Sequence, residues 1–141
     1  SASGARREWP YEGVYRVGGD IPIGYRIGGT SIAATALIEA DGGEPAAPAR
    51  AAIEGALEFV LESLAHPLMG PEFEKGYDVR GWGYTYGLQF LLKLKAAKLV
   101  PDDKAEVVDY VLTRAPAAGS ACLVECILRA MARSAFSTPG Q

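Results

Sequence analysis

Pro48-Ala49-Arg50-Ala51-Ala52-Ile53-Glu54-Gly55-Ala56-Leu57-Glu58-Phe59-Val60-Leu61-Glu62-Ser63-Leu64-Ala65 is the stretch whose periodicity decides the fold class. Ile53, Ala56, Leu57, Val60, Leu61 and Leu64 recur at the i, i+3, i+4, i+7, i+8, i+11 spacing of one helical face. Arg50, Glu54, Glu58 and Glu62 occupy the opposite face. Such a stripe predicts a helix over 48–65 with one side on a core and the other in water. His66-Pro67 ends it, because proline disfavours the helical conformation of the residue before it.

Reading toward the N-terminus, residues 30–40 predict a helix that Thr30 or Ser31 caps and Gly42-Gly43 closes. Its residues are small or apolar on every side, the mark of a buried helix. Ahead of it lies a duplication: Tyr15-Arg16-Val17-Gly18-Gly19, then Tyr25-Arg26-Ile27-Gly28-Gly29 ten residues on. Two β-rich runs flanking Gly-Gly-Asp predict a short N-terminal β-hairpin, with Pro22 confining the second run to an edge; an extended loop is the competing reading. Residues 1–12 read as an irregular lead-in.

Toward the C-terminus, residues 67–77 read as a loop and Asp78 stands at an N-cap position. The helix after it runs to about residue 98 and is apolar almost all round, through Val79, Trp82, Tyr84, Tyr86, Leu88, Phe90, Leu91, Leu92 and Leu94. Lys93, Lys95 and Lys98 crowd its C-terminal turns, where the helix dipole favours cations. A fourth helix over 102–114 carries the stripe Ala105, Val108, Val111, Leu112 and Ala115. A fifth over 120–134 is again apolar on most sides, and 137–141 read as a frayed tail. The expected class is therefore all-α: one domain over 1–141 of about five helices, with buried and amphipathic helices alternating as inner and outer layers of stacked α-hairpins.

Bulk properties exclude several functions. The 141 residues carry a net charge of −3, so the basic footprint of a nucleic-acid binder is missing. No apolar run approaches the roughly 20 residues of a membrane-spanning helix. Residues 1–8 are polar and charged and do not read as a secretion signal; without an initiating Met the chain reads as processed or trimmed. Cys122 and Cys126 fall four apart, roughly 5–6 Å between Cβ atoms on a helix. A disulfide wants about 3.8 Å. Two unbridged thiols favour a reducing, cytoplasmic compartment.

Two segments resemble inner-helix starts of the squalene-cyclase-like, prenyltransferase-type α/α-toroid superfamily, particularly its uncharacterised bacterial members. One is Gly24-Tyr25-Arg26-Ile27-Gly28-Gly29-Thr30-Ser31. The other is His66-Pro67-Leu68-Met69 followed by Tyr77-Asp78-Val79-Arg80-Gly81-Trp82-Gly83. The resemblance covers residues 9–100 and implies inner and outer helices arranged around a cavity lined by N-terminal ends of inner helices. This chain would form part of such a ring. It lacks the Asp-rich protonation motif and the Gln-Trp repeats of triterpene cyclases, the zinc set of protein prenyltransferases and the thioester motif of complement-type toroids.

Each candidate site has a plainer alternative. Asp102-Asp103-Lys104-Ala105-Glu106 has carboxylates spaced to hold magnesium on a diphosphate, but a helix start after Pro101, capped by Asp, explains them as well. Cys122, Cys126 and His66 supply three zinc ligand types without a fourth. His66 is also the sole histidine and so a candidate acid or base, yet it sits where it can serve a helix end. The Gly-rich run over 26–31 leads into a helix N-terminus but lacks the P-loop lysine; close helix packing is the simpler use of its glycines.

The aromatic set is the strongest lead. Trp82 and Tyr86 lie four apart on one face, Tyr84, Arg80 and Asp78 cluster at the same helix start, and Tyr11, Tyr15, Tyr25 and Arg26 come from the preceding segment. Aromatics with arginine suit a ligand pocket, against the alternative of core packing. These residues predict no catalytic group, no metal and no cofactor. The expected function is a non-catalytic helical-repeat module that binds a protein partner, a second copy or an apolar small molecule through an aromatic-lined inner face. A degenerate terpenoid-cyclase or prenyltransferase relative, with Asp78 or Glu125 as its acid, and a structural assembly subunit are the alternatives.

Overall fold

The computed structural model describes residues 7–9, 11, 13–70 and 78–114. Four α-helices follow one another: α1 (Ile23–Ala40), α2 (Ala47–Leu64), α3 (Arg80–Ala96) and α4 (Ala105–Arg114). Short 3-10 turns at Pro67–Met69 and Asp102–Lys104 precede α3 and α4. The described residues are all-α, and none of their helices is long and apolar enough to cross a membrane. The expected fifth helix and Cys122, Glu125 and Cys126 lie outside the described residues.

α2 follows its sequence closely. Ile53, Ala56, Leu57, Val60, Leu61 and Leu64 are all buried, and Arg50, Glu54, Glu58 and Glu62 are all exposed. Proline enters at its first turn, where the missing N–H has no partner to lose. α1 closes on Gly42, at φ +63°, and Gly43 N–H returns to the Ile38 carbonyl at 2.9 Å. α3 closes the same way with Lys98 in the glycine position at φ +56° and Leu99 N–H on the Leu94 carbonyl.

The start of α1 corrects the expected hairpin. The helix begins at Ile23, directly after Pro22, so Tyr25 to Gly29 are helical. Only the first run turns back, with Gly18 and Gly19 at φ +60° and +90° and Val17 paired to Asp20 in one antiparallel bridge. Thr30 and Ser31 are consequently buried helix-interior residues rather than caps. Burial of Ile23 and Ile27 on the core outweighs the β-preference of the run.

Two parallel helices make the centre of the fold. Gly24 lies against Val79 and Gly83, Gly28 against Trp82, and Glu39 reaches Lys93 at 2.9 Å near the other ends. α1 and α3 therefore run in the same direction. α2 returns antiparallel to α1, which places Phe59, late in α2, beneath Arg26, early in α1. Glycines at 24 and 28 and at 83 and 87 set the α1–α3 approach. A Cβ on Gly83 would sit 3.1 Å from the Gly24 Cα, and one on Gly87 3.4 Å from Ile27 Cγ2.

The core joins Ile27, Ile38, Leu57, Leu64, Phe90 and Leu94 from the first three helices to Val107, Val108 and Val111 of α4. Val108 and Val111 of the expected α4 stripe are buried and Leu112 packs against the core; Val107 joins them, while Ala105 at the helix start is exposed. α3 is not apolar on all sides in effect: Gly83, Gly87, Phe90, Leu91 and Leu94 face the core, while Trp82 and Leu92 are exposed.

Candidate functional site

Residues 7–9 and 11 of the lead-in are built into the molecule. Arg7 Nη2 lies 3.2 and 3.1 Å from the carboxylates of Glu58 and Glu62 on α2. Glu8 takes both prongs of Arg26 at 2.8 Å, and the Arg26 guanidinium lies 5.4 Å from the centre of the Phe59 ring. The hydrogen bonds from Arg26 to Glu8 raise the guanidinium pKa further above its ordinary value. Trp9 N–H donates to Thr30 Oγ1 at 2.9 Å. Thus residues 7–9 cross from α2 to α1, and Tyr11 is delivered to α3.

There it meets an aromatic group. The ring centres of Tyr11, Tyr25 and Trp82 are 6.1, 6.1 and 6.2 Å apart, at interplanar angles of 82°, 65° and 77°. Tyr86, one turn after Trp82, lies against the indole at 4.8 Å. Such edge-to-face separations are favourable through the ring quadrupoles. Trp82 has a seat because Gly28 has no side chain: a Cβ there would come within 2.6 Å of Trp82 Nε1 and against Cδ1, with Cγ at 3.6 Å. The indole therefore stands on its Cδ1–Nε1 edge on α1 and keeps 41% of its surface exposed.

The structure thus brings together Tyr11, Tyr25, Trp82 and Tyr86, and gives Arg26, Arg80, Asp78 and Tyr84 partners of their own. Arg26 faces Glu8 and Phe59. Tyr15 is exposed near the Gly18-Gly19 turn. Arg80 binds Asp78 through Nε at 2.9 Å and Nη2 at 2.7 Å and also donates from Nη1 to the Gly70 carbonyl, while Tyr84 Oη donates to the Met69 carbonyl. Arg80, Asp78 and Tyr84 therefore anchor the 3-10 turn to the start of α3. Burial raises the Tyr84 pKa, and the Arg80 hydrogen bonds hold the Asp78 carboxyl below its ordinary range.

That depression sets a pH dependence. A carboxyl whose pKa falls on folding stabilises the fold above its unfolded value, about 3.9, and loses that contribution as pH falls through the folded value. Asp78 is half exposed, so solvent screening limits the pair to about 0.5–1 kcal/mol. Denaturation midpoints of wild type and Asp78→Asn should differ at pH 7 and converge in acid. A gap that stays constant down to the acid limb would show that the pair does not contribute.

His66 Nδ1 accepts the Leu68 N–H at 3.0 Å and so caps the 3-10 turn. Asp102 and Asp103 lie in the first turn after Pro101, and no side-chain cap bond forms there. Among the described residues no three His, Cys, Asp or Glu side chains converge as a metal set. The lead-in clamp and the Gly28 seat are what the sequence reading missed; the paired Gly-x3-Gly spacings at 24/28 and 83/87 were the visible signal for the second. Comparison with family models, with curated proteins and with solved structures gives no match.

Proposed function

We propose that this protein is a non-catalytic helical module that binds through the face on which Trp82 stands. The observation that carries the reading is an indole held on edge by Gly28, packed by three tyrosines and still 41% exposed. A tryptophan serving only the core would be covered, whereas partly exposed, rigid aromatics are the side chains that anchor interfaces. The parallel run of α1 and α3, with α2 returning beside α1, supports a stacked-hairpin reading in which α1 and α3 form the inner layer, as the resemblance to α/α toroids implies.

Light scattering over a dilution series, on wild type and Trp82→Ala, tests whether the partner is a second copy. Concentration-dependent association that weakens about 30-fold in the variant is the expected result, corresponding to an anchor of about 2 kcal/mol. Association unaffected by Trp82→Ala would remove this face as the interface. A monomer at every concentration would exclude self-association and leave a different partner.

A further inference from the structure

One ring packed on Trp82 is tied down by charge from elsewhere in the chain. Tyr11 lies 6.1 Å from the indole, centre to centre. Residues 7–9, just before it, are fixed to α1 and α2 by ion pairs. Glu8 grips the Arg26 guanidinium with both oxygens at 2.8 Å, and that guanidinium lies 5.4 Å from the centre of the Phe59 ring. Two-pronged pairs of this kind are the stronger ion pairs. Arg7 spans Glu58 and Glu62, one turn apart on α2, at 3.2 and 3.1 Å. The Trp9 N–H on Thr30 Oγ1 and the Trp9 ring against the rim of the core complete the attachment. We propose that Arg7 and Glu8 form an ionic latch that holds Tyr11 against Trp82 and so sets how much of the binding face is open.

Three observations make the latch releasable. The paired side chains keep between 31% and 56% of their surface exposed, where salt screens their attraction. Arg7 is held imperfectly: its Nε and Nη2 are covered, yet neither has a hydrogen-bond partner among the described residues. Closing the latch therefore costs the hydration of those donors. Between Tyr11 and α1 the chain passes Gly13, Gly18 and Gly19, each at positive φ with nothing within 4 Å of its Cβ position. That stretch has room to let residues 7–9 swing away while α1 stays in place. The latch rests on the binding role proposed for the Trp82 face and gives that face a closed and an open form.

The test needs no partner. Proton NMR of the whole chain reads the Tyr11–Trp82 approach through nuclear Overhauser contacts. A neutral paramagnetic co-solute reads the exposure of the Trp82 ring in the same samples. A variant carrying Arg7→Glu and Glu8→Arg together keeps the net charge but sets like charges against Glu58, Glu62 and Arg26. With its helicity unchanged by circular dichroism, it should lose the Tyr11–Trp82 contacts at low salt, and co-solute relaxation of Trp82 should rise. Wild type in about 1 M salt, where charges are screened within about 3 Å, should move the same way. Glu8→Arg combined with Arg26→Glu rebuilds the pair in reverse and should restore the contacts.

Contacts that persist in the reversed variant, or that ignore salt in the wild type, would overturn the latch, since ring packing alone would then hold Tyr11. Contacts that are lost and do not return with the exchanged pair would overturn it as well, as a general loosening. Association measured on Trp82→Ala tests the binding role and not the latch, so each can fail alone. Shielding that follows Arg7 and Glu8, beside association indifferent to Trp82, would leave a latch on a face that is not an interface.

Discussion

Gly24→Ala should lower stability by about 2 kcal/mol, even though alanine is the better helix former. In an exposed helix the exchange gains up to about 1 kcal/mol. At position 24 the added Cβ would collide with the Val79 carbonyl, coming within 2.8 Å of its carbon. Backbone cannot rotate away as a side-chain tip can, so α1 and α3 must separate, and overpacking of that kind costs about 1–3 kcal/mol or more. Gly81→Ala is the matching control, because nothing lies within 4 Å of its Cβ position and the residue is exposed on the same helix pair. It should gain about 0.5–1 kcal/mol. Urea denaturation of both variants checks the pair by sign. Stabilisation by Gly24→Ala would mean that α1 and α3 do not approach through that glycine.

Phe90→Ala carries the largest expected loss, about 3–5 kcal/mol. Phe90 is the largest of the fully buried side chains and has no exposed surface, within a core that includes Ile27, Leu57, Leu64 and Val108. Removing its ring takes away buried apolar area and leaves a cavity that three packed helices can only partly close. Circular dichroism and tryptophan fluorescence should report one shared, lowered denaturation midpoint. A loss below about 1 kcal/mol would show that the site relaxes freely and that the helices are not held by a single core. Trp82→Ala offers the contrast, since the indole is only partly covered and should cost less stability than Phe90 while altering binding.

The residues differ in how much of their role was legible. α2 could be read outright, because one face meets the core and the other meets water, and the two are written in different residue types at positions 53 to 64. Gly42-Gly43 and His66-Pro67 were equally plain, since each acts through local backbone geometry. Of the aromatic site, Trp82 and Tyr86 were readable as one helical face. Their union with Tyr11 and Tyr25 was only a juxtaposition of candidates, and no spacing or periodicity assigns Arg26, Arg80, Asp78 and Tyr84 to other partners. Those side chains are assigned by carbonyls and carboxylates distant in the chain: Glu8 for Arg26, Gly70 for Arg80, Met69 for Tyr84.

The duplicated pentapeptides separate the two kinds of information. Tyr15-Arg16-Val17-Gly18-Gly19 and Tyr25-Arg26-Ile27-Gly28-Gly29 differ only by a valine for an isoleucine, so local preference cannot distinguish them. The first forms a tight turn with Val17 exposed; the second is the opening of α1 with Ile27 wholly buried. By itself the sequence determined the helical class, the amphipathic face of α2 and the points where helices stop, because those depend on periodicity and on the backbone habits of glycine and proline. Only the tertiary structure decided that the second copy is a helix and that Gly28 is a seat for Trp82. The contacts responsible, with Val79, Trp82 and Gly87, come from residues more than fifty positions away, and their packing overrides what five residues prefer alone.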